Sequence, residues 1–441
     1  MSGAERQALQ STLLRLCVLC ATSLQAIHPS QAVQETVDND VAEQDGPKLS
    51  GQIYNDTIAL LQKATKDCTG LSLAMRAAKG KIQDESDPLE GLDDSSVRAA
   101  AALLQSLASD LVPKLVFLTN LAQKNQTVYK LADSAAQDES IKEMQKLGAQ
   151  IVYGEGAKGT KAVSASVGKY FAHEITNAMS EVVEIIAQLC QSFMDLKTRT
   201  VLERAQARRE GLPSIRKASI DRPSRGLSLS LTKRLWKLCD SLSAEARAKE
   251  NSSSLPCDNR EAVSRVWKQS TVMIHDGIEE LQAAIDQPND GSDEASELDE
   301  IGAQWSQSVQ LSEQERKLGK AVLHLLQASV TLQEKIEASL FADSSVTYDF
   351  DEAGDLIIGL MEAQDDLIAA TLYGGDTMSN DEVESDSEEH QAASGMPQDQ
   401  DLKSKLDSYL SSCRSLSELN APSISMAQII DAYNATLAII L

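Results

Sequence analysis

Apolar residues recur at helical spacing along nearly the whole chain. Residues 5–27 place Leu9, Leu13, Leu16 and Cys20 on one stripe, as an amphipathic helix requires. Residues 50–79 repeat the pattern with Ile58, Leu61, Cys68, Leu71, Met75 and Ala78. Residues 95–124 carry Val97, Leu104, Leu107, Leu111, Leu115, Leu118 and Leu121, with a kink or break expected at Pro113, which lacks a backbone donor. A shorter helix is expected over 126–147. The longest uninterrupted pattern runs from about 160 to 205, through Val163, Val167, Phe171, Ile175, Met179, Val182, Ile186, Leu189, Phe193 and Leu196. Helices resume over 227–249 and 260–285, and again over 312–340 and in the acidic stretch from Tyr348 to Asp376. Capping-box patterns open two of them, at Asp258–Glu261 and Ser312–Glu315. Two short helices near 402–419 and 423–440 close the chain, and their apolar end is expected to dock.

Strand alternation is all but missing; "AQIVY" at 149–153 is short and alone. The fold class expected is therefore all-α, built as two up-and-down helical bundles. The polar segment 206–226, with two Pro and six Arg or Lys, lacks helical period and reads as a basic linker. It divides an N-terminal bundle, 1–205, from a C-terminal bundle, 227–441. Within the second, residues 376–401 are strongly acidic and nearly free of apolar side chains, a composition that predicts a disordered insertion.

Composition supports helices over sheet, because aromatic residues make up only 4% of 441 positions. The net charge of −25 argues against direct nucleic-acid binding and against an anionic membrane as partner. No unbroken apolar run is long enough to predict a membrane span, and Arg15 with Glu5 does not suit a secretory signal. The seven Cys follow no disulfide framework and read as reduced thiols. Cys17 and Cys20 form a C-x-x-C without a second ligand pair, so helix packing is expected there rather than metal or redox chemistry.

The stretch "YDFDEAGDLIIGLMEAQDDL" holds seven carboxylates. Asp349, Asp351 and Gly354 imitate the start of a calcium loop. Ala353 and Leu360 then occupy positions that need ligands, the last a bidentate Glu. Wound as a helix, Asp351, Asp355, Glu362, Asp365 and Asp366 share one face. Ile357, Leu360, Leu367 and Thr371 take the opposite one. The acids form a solvated face or, if they have a function, a partner-binding face. "GEGAKGTK" at Gly154–Lys161 departs from a phosphate-binding loop because Thr160 precedes Lys161. His275 and Glu279 can pair on one helix face, but no second histidine follows His173–Glu174 at metal spacing. No nucleophile motif occurs. No catalytic, metal or cofactor residues are expected, and the chain reads as a non-enzyme.

From Lys197 to Lys237 twelve Lys or Arg stand against three acids. This stretch suits nuclear import or an acidic partner, and lacks linker aromatics for stacking on bases. "RKAS" ending at Ser219 fits a basophilic kinase site, while Ser379 and Ser385 each precede a Glu by three.

Three segments occur in an order similar to the cyclin-D-interacting protein family: Gly159–Leu189, then Arg265–Asp286 with its Val266–Trp267, then Phe350–Gly375. In the last, Asp351 and Glu352, then Asp365, Asp366 and Leu367, then Tyr373 fall in the family's order. The resemblance covers the larger part of the chain. It implies an all-helical, non-enzymatic regulator of cell-cycle signalling, with a bundle like those of vinculin and α-catenin. Implied partners are a D-type cyclin and other signalling or transcriptional proteins, in nucleus and cytoplasm. The basic linker at 206–226 and the acidic insertion at 376–401 depart from the family pattern. No basic region precedes a helix–loop–helix, which argues against DNA binding by that route. The alternative is a cytoskeletal or adhesion-type helical scaffold.

Overall fold

The structure is a computed structural model. It describes residues 3–28, 46–76, 89, 91–137, 167–208, 225–248, 254–287, 311–342, 349–373, 398–418 and 426–440. Every regular element among the described residues is helical, as the periodicity predicts. The short strand-like stretch at 149–153, the Gly154–Lys161 loop and most of 206–226 lie outside the described residues. So do residues 376–397, Ser219, Ser379 and Ser385.

The chain divides into two compact units, Met1–Ala262 and Val263–Leu441. The first contains α1 (Gly3–Ile27), α2 (Gly46–Ala74), α3 (Asp94–Ser106), α4 (Val112–Gln137) and α5 (Lys169–Ser192). It also contains α6 (Leu196–Arg208), α7 (Arg225–Ser241) and the short α8 (Ala244–Ala248). The first unit thus extends well past the expected limit at residue 205. Leu231 and Leu235 of α7 belong to the same buried core as α1, α2 and α5. A boundary inferred from linker composition cannot register that α7 returns to the bundle.

Helix α5 lies at the centre of this unit and packs against α1, α2, α4 and α7. Phe171, Ile175, Met179, Val182, Val183, Ile185, Ile186 and Leu189 are all fully buried. That breadth of burial is wider than one stripe, as a central helix requires. Gly168 precedes it at φ 81°, and Asn259 Oδ1 accepts the Phe171 N–H at 3.1 Å.

The expected continuous helix over 160–205 is interrupted at residues 193–195. Gln10 of α1, 5% exposed, reaches into the gap. Its amide donates to Phe193 O at 3.1 Å and accepts the Asp195 N–H at 3.2 Å. Asp195 Oδ1 then accepts the Thr198 N–H at 2.8 Å, opening α6 as an N-cap.

Pro113 does not break its helix. A π turn at Leu107–Leu111 joins α3 to α4, with the Val112 N–H bonded to Leu107 O. The wider turn places the extra residue just before the proline, where an α-helical ladder would otherwise crowd the ring. Lys63 holds this turn to α2. Its ammonium bonds Asp67 at 2.9 Å and Ser106 at 3.1 Å, and lies 3.6 Å from Asp110.

Helices Gly3–Ile27 and Asp94–Lys124 are long and apolar enough, by length and composition, to cross a membrane, although charged and polar residues interrupt both apolar runs. In the structure Leu13, Leu16, Cys17, Cys20, Leu104 and Leu115 of these helices are fully buried in the bundle.

The second unit takes in most of α9 (Asn259–Asp286), which begins four residues earlier, with α10 (Glu313–Ala342) and α11 (Phe350–Tyr373). Helices α12 (Gln398–Glu418) and α13 (Ala427–Ile440) complete it. Residues 398–401, expected in the disordered insertion, are the first turn of α12. Trp267 is fully buried and meets Phe341 edge to face at 6.1 Å; Phe341 in turn stacks on Phe350 at 6.1 Å. The apolar C-terminal helix docks through Ile429, Ala432 and Thr436, packing against α10 and α12.

Candidate interaction surface

Helix α11 opens on Asp349, whose Oδ1 accepts the Glu352 N–H at 3.2 Å. The carboxylate that would begin a calcium loop is thus an N-cap. Ala353 and Leu360, the two failed ligand positions, are fully buried in the bundle. Ile357 and Leu367 are fully buried with them, and Thr371 is 5% exposed.

The acids stay on the other side. Asp355, Glu362, Asp365 and Asp366 are exposed, and Asp351 is half-buried. The helical separation read from the sequence is therefore correct, but the face is less uniform than a helical wheel suggests. Lys405 of α12 donates to Asp366 Oδ2 at 2.7 Å. That contact raises the Lys405 pKa and partly neutralises one end of the face.

Helix α9 supplies a further acid. Gly277 permits a close approach: a Cβ there would lie 3.0 Å from Ile368 and 3.4 Å from Gln364 Nε2. Gln364, fully buried, donates to Ile274 O at 2.8 Å and fixes the register of α11 on α9. Glu280 thereby joins Glu362, Asp365 and Asp366. Partial burial, then repulsion from Asp366, Glu280 and Glu362, holds the Asp365 carboxyl above its ordinary range. Tyr373, 48% exposed, extends its hydroxyl toward Glu280 at 3.5 Å. Burial, then the neighbouring Glu280, raises the tyrosine pKa. Glu280 and Lys405 were not legible in the sequence as parts of this surface, because each lies on a different helix.

Among the described residues no group of three or more His, Cys, Asp or Glu is arranged to hold a metal ion. Cys17 and Cys20 are fully buried, as helix packing predicts. Burial pushes the Cys17, Cys20, Cys68 and Cys239 thiols up, and the Cys257 and Cys413 thiols to about 12. His173 on α5 and His275 and Glu279 on α9 are exposed.

A family model described as Grap2 and cyclin-D-interacting, N-terminal, matches residues 114–287. Over these residues, less than half of the chain, the protein is similar to that family's N-terminal domain. No curated protein matches the chain. The matched segment runs from α4 to the end of α9. It includes the described parts of Gly159–Leu189 and all of Arg265–Asp286, two of the three segments that carried the resemblance. It also includes Gly277 and Glu280. The third segment, α11, lies beyond the match.

Proposed function

We propose that the protein is a non-enzymatic protein-interaction regulator acting in cell-cycle signalling, with a cyclin or a transcriptional regulator as its partner. The match to the Grap2 and cyclin-D-interacting, N-terminal family model over 114–287 carries this reading. Its partner contacts include the acidic surface of α9 and α11, where Glu280, Glu362 and Asp365 face a basic surface on the partner. Such a surface gives specificity and association rate more than affinity. The fully buried Cys17, Cys20 and Cys68 thiols, which burial pushes up, support a role without nucleophilic chemistry. The regulator acts in both cytoplasm and nucleus, and the basic stretch 206–226 contributes to import.

The test is titration calorimetry of the full chain with a purified D-type cyclin. Saturable binding is expected, weakened by the charge reversals Glu362→Lys and Asp365→Lys. Absence of binding, with recovery of only actin or junction proteins from cells, would favour the scaffold reading instead. A fluorescent fusion lacking 206–226 should lose nuclear signal.

A further inference from the structure

Helices α2 and α7 pack antiparallel. The Trp236 indole N–H donates to Thr69 Oγ1 at 2.8 Å, and Ser72 bonds Thr232. Trp236 is 43% exposed, so its contact with Thr69 marks the outer flank of this seam. Leu73 lies one turn beyond Thr69 on the same flank, and Leu229 lies two turns before Trp236. These leucines are 62% and 51% exposed. Thr69 also donates to Thr65 O at 2.6 Å, so the indole's polar demand is met within the seam and its remaining surface is apolar.

Charge around this ledge opposes that of the whole chain. Lys66 on α2 and Lys233 and Lys237 on α7 are exposed, as is Arg76 just past the end of α2; Asp240 is the exposed acid one turn past Trp236. Arg234 is engaged by Glu181 at 2.9 Å. Four cations and one acid thus lie near three large apolar side chains in a protein of net charge −25. Scattered exposed leucines are ordinary. A tryptophan and two leucines along one seam, with four cations and one acid around them, form a recognition pattern.

We propose that this ledge docks an acidic amphipathic helix of a protein partner. Trp236 and Leu229, about 10 Å apart along α7, match apolar side chains two turns apart on the incoming helix. Leu73 contacts the one between them. The basic rim selects carboxylates on the partner's flanks. This surface goes beyond the acidic face of α9 and α11 and takes a partner segment of opposite charge.

The probe is a fluorescein-labelled peptide of about 20 residues, long enough to form helix, with Leu at helical spacing and Glu beside it. Fluorescence anisotropy against the full chain should show saturable binding. Trp236→Ala should weaken it about tenfold or more. The paired reversal Lys233→Glu with Lys237→Glu alters only exposed side chains and should weaken it comparably, with unchanged circular dichroism. A companion peptide with Lys in place of Glu should gain nothing from Trp236. The proposal fails if the acidic peptide does not bind, or binds wild type and both variants alike. It also fails if the peptide binds only after deletion of 376–397, which would assign the ledge to the chain's own acidic segment. A concentration-dependent dimer abolished by Trp236→Ala would assign it to a second copy. Duplex DNA binding that depends on Trp236 would overturn it in favour of nucleic acid. Neither variant touches Glu280, Glu362 or Asp365, so this surface and the proposed cyclin contact fail separately.

Discussion

Gly168 and Asn259 are matched to each other. Gly168 takes φ 81° and ψ 147°, a conformation that costs a side-chain-bearing residue about 1–3 kcal/mol. The space where its Cβ would lie is occupied by the Asn259 side chain, which caps α5 from outside the helix. Asn259→Ala should cost about 1 kcal/mol, the usual loss for a side-chain cap. Gly168→Ala should cost more, since backbone strain and collision add. In urea melts the double variant should lose less than the sum of the two, because removing the asparagine removes the collision. Strict additivity would mean that the two residues do not meet. Gln333 of α10 presents the reverse situation. It is 1% exposed, and neither end of its amide has a hydrogen-bond partner. Gln333→Met keeps the length and removes the stranded polar atoms, so it should raise stability by about 1 kcal/mol. A lower melting temperature would show that the amide is satisfied in solution. Neither feature was legible in the sequence, where a glycine and a glutamine in helical surroundings carry no sign of distant partners.

Helix capping was the local feature that sequence exposed best. The Ser312–Glu315 box forms reciprocally: the Ser312 N–H donates to Glu315 Oε2 at 2.7 Å, and the Glu315 N–H donates to Ser312 Oγ at 3.2 Å. At Asp258–Glu261 the return bond goes instead to the Cys257 N–H, at 2.9 Å. Ser312→Ala should cost about 1 kcal/mol. The hydrogen bonds to Ser312 hold the Glu315 pKa below its ordinary 4.5. A lowered carboxyl pKa adds stability above the unfolded value and loses it as pH falls through the folded value. Glu315→Gln should therefore be less stable than wild type at neutral pH, and the gap should close as pH falls below about 4.5. A gap that persists at low pH would mean the carboxylate charge contributes nothing to the cap. Periodicity placed nearly all the helices, but missed how two of them are interrupted. The stop at 193–195 depends on Gln10, far away in sequence. The π turn before Pro113 conserves the helical pattern while inserting one residue, so an apolar stripe alone does not reveal it.

The acidic helix α11 was legible as an amphipathic element because one stripe and one charged face suffice to define it. Its surface acquires Glu280 and Lys405 only through packing, and the division at Ala262 depends on α7 rejoining the first unit rather than on linker composition. Charge acts differently over these distances. The ledge on α2 and α7 is locally basic, yet the chain carries −25, so an approaching acidic peptide meets attraction nearby and repulsion from farther away. The Debye length is about 30 Å at 0.01 M salt, about 10 Å at 0.1 M and about 3 Å at 1 M. At low salt the distant acids count in full and oppose binding. Near physiological salt they are screened, while the rim lysines still reach the peptide. At high salt that attraction fades too, leaving the apolar contact alone. Affinity for the acidic peptide should thus pass through a maximum as salt rises, whereas a basic partner on the α9–α11 face should weaken steadily. Anisotropy titrations at the three salt concentrations test both curves. A steady loss of acidic-peptide affinity from the lowest salt upward would mean that the local rim outweighs the net charge at every range. A steady rise would mean that the rim contributes no attraction and that only apolar burial holds the helix.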